Sequence, residues 1–96
     1  MTERQLKYGL IATEDRDPMA RERAIGKLTD QEILEHVANH DWSSSVRVAA
    51  VWRIKSTYAL LKIKRRNYGD GNKTMKAATD RLADICVGER PMGAAK

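Results

Sequence analysis

At 96 residues, with 42% hydrophobic and 32% charged residues, the chain has room for one domain with a modest core, and its composition excludes wholesale disorder. A net charge of +5 is unevenly spread: residues 1–45 carry six Lys/Arg against nine Asp/Glu, and residues 46–96 carry twelve against four. No apolar run is long enough to span a bilayer, the first residues lack a signal-peptide core, and the single cysteine excludes an intramolecular disulfide. These features predict a cytoplasmic protein with Cys86 as a small buried hydrophobe.

Apolar residues recur at three- and four-residue spacing throughout, which predicts helices and no sheet. Leu6, Leu10 and Ile11 mark a first helix over about residues 3–14. Asp17 followed by Pro18 reads as an N-cap and first helical position, opening a second helix to about Leu28. Thr29 and Glu32 have capping-box spacing, and a third helix carrying Ile33, Leu34 and Val37 follows to about His40. Ser43, Ser44 and Ser45 offer caps for a fourth, to about Lys55. A fifth runs from about Ser56 to Arg66 with Ala59, Leu60 and Ile63 inward. Asn67-Tyr68-Gly69-Asp70-Gly71-Asn72 is a glycine-rich loop, and a sixth helix spans about 73–87. Gly88, Pro91 and Gly93 then predict a flexible tail over 88–96.

The elements repeat. Asp15, Ala20, Arg21, Ala24, Ile25 and Leu28 are answered 26 residues later by Asp41, Val46, Arg47, Ala50, Val51 and Ile54. At an offset of 28, Ala78 and Leu82 follow in the places of Ala50 and Ile54, and Thr79 makes that last layer more polar. Each repeat buries its apolar face only against its neighbours. The expectation is an all-α, short α-solenoid of three antiparallel helical hairpins stacked with a right-handed superhelical sense. One domain covers residues 1–87, in units of about 3–28, 29–55 and 56–87. Trp42, in a turn, is expected to plug the groove between units.

The strings "DRDPMARERAIGKLTDQEILEHVANHD" and "DWSSSVRVAAVWRIKS" resemble bacterial HEAT-like repeats, and the short period is also similar to the leucine-rich-variant type. Asp15 with Arg21 and Asp41 with Arg47 match the recurring polar pair of that family. The third unit departs from it, with Asn67 and Met75 at those places. The resemblance covers about residues 6–84 and implies an α-solenoid that binds another macromolecule through one helical face.

Read in register, Lys27, Arg53 and Arg81 occupy equivalent positions three residues beyond the alanine column, which predicts a cationic row along one face. Trp52, Lys55 and Lys76 lie near it in sequence, and Lys73 adds to the charge. A cationic row with an aromatic suits an acidic protein surface, and an array about 30 Å long, at roughly 10 Å per unit, offers one standard interface. The expected function is therefore a non-enzymatic adaptor or inhibitor that engages one acidic protein partner. The alternative is a nucleic-acid-binding module using the basic second half. The run Lys62, Lys64, Arg65 and Arg66 complements the dipole at a helix C-terminus. Glu32, His36 and His40 share one helical face at i, i+4 and i+8, a spacing that permits zinc ligation, but a solvent-directed face without a nearby cysteine argues against it. No nucleophile motif or phosphate-cradling loop is present. Asp41, Trp42 and Trp52 invite comparison with HEAT-like DNA glycosylases, yet three units are too small to hold a duplex and extrude a base. No catalytic residue, metal or cofactor is expected.

Overall fold

A computed structural model describes residues 2–67 and 72–89, the last three of these by backbone alone. Six helices follow one another: α1 (Glu3–Glu14), α2 (Pro18–Ile25), α3 (Gln31–His40), α4 (Ser44–Val51), α5 (Thr57–Arg66) and α6 (Lys73–Glu89). Among the described residues there is no strand. Residues 68–71 of the glycine-rich loop and 90–96 of the expected tail lie outside the described residues; α6 itself continues to Glu89, past its expected end.

Five of the six starts are capped by a short polar side chain that accepts an otherwise orphaned first-turn N–H. The caps are Thr2, Asp17, Asp30, Ser56 and Asn72. The third helix is capped by Asp30 and not by Thr29. Thr29 is otherwise engaged, because both its N–H and its hydroxyl donate to Oε1 of Gln5, at 2.9 and 3.2 Å. At the N-cap of α4 the Ser43 side chain accepts no first-turn N–H; its hydroxyl is 3.0 Å from that of Ser45.

The second helices of the first two units stop short of their expected ends. α2 ends at Ile25 and α4 at Val51 because the chain tightens there into i→i+3 bonds: Lys27 and Leu28 donate to Ala24 and Ile25, and Arg53 and Ile54 to Ala50 and Val51. The tightened turn still delivers Leu28 and Ile54 to the interior, where both are buried. Lys27 and Arg53 consequently lie just past their helices, whereas the equivalent Arg81 is inside α6.

Helix contacts join chain neighbours and alternate helices. α1 packs on α2, α3 on α4 and α5 on α6, while α4 touches both α2 and α6, and α3 touches both α1 and α5. One core results, built from the expected columns: Ala24, Ile25 and Leu28; Leu34 and Val37; Ala50, Val51 and Ile54; Leu60 and Ile63; and Ala78. Tyr8, Ile11 and Leu82 flank it, half-buried. α1 approaches α3 closely enough that a Cβ at Gly9 would meet Cδ1 of Ile33 at 2.8 Å. Cys86 is exposed rather than buried: α6 has 17 residues against 10 for α5, so its last turns outrun the helix that covers its first ones.

Long polar side chains reach across the helices and turns in a repeated pattern. Gln5 donates to the carbonyl of Lys27 and accepts from the N–H of Thr29. Its counterpart Gln31, 26 residues on, does the same to Arg53 and Lys55. Arg21 donates to the carbonyl of Asp15 in its own unit and makes a bidentate pair with the Asp41 carboxylate, at 2.8 and 3.1 Å, in the next. Arg47 likewise donates to the carbonyl of Asp41 and, through Nε, to the hydroxyl of Thr74 at 2.9 Å. The polar ladder thus persists into the third unit despite Asn67 and Met75, with the fully buried Thr74 supplying the acceptor.

Candidate functional site

Two residues of the expected basic row make hydrogen bonds of the same kind. Arg53 Nε donates to the carbonyl of Leu28, the residue after Lys27, at 3.0 Å. Arg81 Nε donates to the carbonyl of Ile54, the residue after Arg53, at 3.0 Å. Each arginine therefore lies against the turn that carries the preceding cation. Those bonds also make both arginines structural, since each satisfies a carbonyl left open where α2 or α4 ends. Arg53 and Arg81 are half-buried, and Arg81 pairs further with Asp84 at 3.0 Å.

The remaining predicted residues are more accessible. Lys27 is exposed, with its ammonium 5.8 Å from the centroid of Tyr8. Lys55 is exposed and only its backbone N–H is engaged, by Gln31. Lys76 is exposed and pairs with Asp80 one turn along α6 at 3.2 Å. Trp52, at the end of α4, is 42% exposed. Lys62, from the basic end of α5, pairs with Glu35 at 3.4 Å and lies 4.9 Å from the centre of the Tyr58 ring.

A second feature lies at the other connections. The turns α1–α2 and α3–α4 have the same register, so Arg16 and Trp42 occupy equivalent positions in successive units. Between them opens a cleft of about 610 Å³, lined also by His36 and His40 from α3 and floored by the Arg21–Asp41 pair. Trp42 does not plug the groove: it is 96% exposed. The space between the units is taken by Arg21 and Asp41, whose side chains are only 13% and 7% exposed. The two imidazoles lie 4.6 Å apart, tilted by 39°. Among the described residues no group of three or more His, Cys, Asp or Glu side chains is placed to hold a metal ion, so Glu32 does not join His36 and His40 in a ligand set.

The cleft was not legible as a site in the sequence, although its signal was present: the same 26-residue offset that pairs Asp15 with Asp41 pairs Arg16 with Trp42. Among the described residues no helix is long and apolar enough to cross a membrane. Comparison with known proteins finds no matching family model, no characterised relative and no solved structure.

Proposed function

We propose that the chain is a HEAT-like α-solenoid of three antiparallel hairpins, stacked right-handed, that binds one protein partner and catalyses nothing. The pairing of α1 with α2, α3 with α4 and α5 with α6 supports the repeat reading, as do the Gln and Arg ties that recur at both junctions. The partner presents an acidic surface to the edge that carries Lys27, Trp52, Arg53, Lys55, Lys76 and Arg81. The observation that carries this reading is the recurring bond of Arg53 and Arg81 to the turns of the preceding cations, with Trp52, next to Arg53 in the sequence, half-exposed. Charges held in place by backbone bonds lose little further freedom when a partner meets them, which favours affinity.

The test avoids Arg53, whose replacement also opens a carbonyl in the α2–α3 turn. Lys55→Glu and Trp52→Ala alter side chains with no hydrogen bond of their own. Each is expected to weaken partner binding by about 1–3 kcal/mol while leaving the melting temperature nearly unchanged. Titration of the captured partner from about 50 to 200 mM salt separates the two macromolecule classes. A nuclease-resistant complex with a shallow salt slope supports a protein, and a steep slope with loss on nuclease treatment overturns that reading in favour of nucleic acid.

A further inference from the structure

The cleft between the two turns has a charge pattern distinct from the basic row. Asp41 is neutralised by its bidentate pair with Arg21. The neighbouring carboxylates Asp15 and Asp17 are turned onto the backbone N–H groups of Asp17 and Met19. Arg16 is left over: it is exposed and, among the described residues, makes no ion pair and no stack on an aromatic ring. Trp42 faces solvent almost completely, although burying an indole is worth far more than leaving it in water. The lining therefore offers one uncompensated cation, one unused aromatic surface and two imidazoles between them, in a volume suited to a few side chains.

We infer that this cleft binds a short peptide segment of a partner protein, with a single carboxylate against Arg16 and an adjacent aromatic or aliphatic side chain against Trp42. Charge selects this occupant over a polyanion. One free cation meets one anion, whereas residues 1–45 carry nine Asp/Glu against six Lys/Arg, a field that repels a phosphate backbone or an acidic tract. His36 and His40 add hydrogen-bonding edges for the peptide backbone. The inference rests on the reading of the chain as a protein-binding module and adds a second contact region, at the α1–α2 and α3–α4 turns, to the basic edge at the α2–α3 and α4–α5 turns.

The experiment uses the full chain carrying Trp52→Phe, so that Trp42 is its sole tryptophan, and a set of capped tetrapeptides. The set places Glu or Asp beside Phe, Leu or Ile, with Gln and Asn versions as controls. Tryptophan fluorescence and backbone amide shifts are followed on titration, with a ten-residue oligothymidylate as the polyanion probe. The expected result is saturable binding of acidic members, amide shifts centred on residues 12–21 and 36–43, and loss of about tenfold in affinity for Arg16→Ala, the size of one charge-assisted contact. Trp42→Phe is expected to keep part of the binding seen by amide shifts and Trp42→Ala to lose it. Failure of every acidic peptide to exceed its amide control overturns the inference, as does tighter binding of the oligothymidylate. Amide shifts centred on Lys27, Arg53 and Arg81 also overturn it. If the captured protein partner is lost with Lys55→Glu but retained by Arg16→Ala and Trp42→Ala, the basic edge stands and the cleft assignment falls.

Discussion

Thr74 occupies a position that is apolar in the other units, Ala20 and Val46, yet it is fully buried and polar. Its hydroxyl gives Arg47 Nε an acceptor where the first junction uses a carboxylate. A half-buried guanidinium deprived of one partner keeps part of its desolvation cost, so breaking this bond costs more than making it gains. Thr74→Val preserves shape and removes only the acceptor. It is expected to cost about 1–3 kcal/mol of stability, read as a lowered urea midpoint with unchanged slope, while Thr74→Ser recovers most of the loss. Equal stability of the Val and Ser variants would show that the bond contributes nothing.

Between elements, the glutamines at the starts of α1 and α3 decide how the tightened turns are held. Gln31 uses both ends of its amide: Nε2 donates to Thr29 O and Arg53 O, and Oε1 accepts from Lys55 N–H. Gln31→Ala removes all three, and a cost of about 1–2 kcal/mol follows from modest bonds partly replaced by water. Gln31→Glu keeps the acceptor and loses the donor, so an intermediate cost is expected in the same denaturation assay. Gln5 serves the first junction in the same way, and Gln5→Ala provides the matched comparison.

These ties explain what the sequence showed and what it concealed. The six helices and their buried columns were legible because helical periodicity and the 26-residue offset report the same apolar faces twice over. Leu34, Val37, Ala50 and Val51 all reach the core as the pattern requires. The helix ends were less legible, since Leu28 and Ile54 are apolar and buried but are delivered by a tightened turn rather than by continued helix. Bonds from a long side chain to a distant carbonyl leave no local trace, so Arg53 and Arg81 looked like free surface cations. Trp42 was misjudged for the opposite reason: an indole suggests burial, but an ion pair had already filled the groove.

Across the whole molecule, the two central helices are the ones packed on both sides among the described residues: α4 contacts α2 and α6, and α3 contacts α1 and α5. Under the proposed repeat stacking, opening the centre breaks two junctions and opening an end breaks one. Amide hydrogen exchange is therefore expected to be slowest in α3 and α4 and faster in α1 and in the later turns of α6. Uniform protection across all six helices would instead indicate that the three units unfold as a single block.

The two junctions share the same glutamine clamp and the same backward-reaching arginine, but differ in what the forward-reaching arginine finds. Arg21 grips a carboxylate with two bonds, whereas Arg47 holds a neutral hydroxyl with one. A charge-assisted bidentate grip resists separation better than a single neutral acceptor. If opposite ends of the chain are drawn apart by force, the molecule is expected to yield first between its second and third units. The first two would remain docked as a stub, still bearing the cleft between Arg16 and Trp42 when the third has gone.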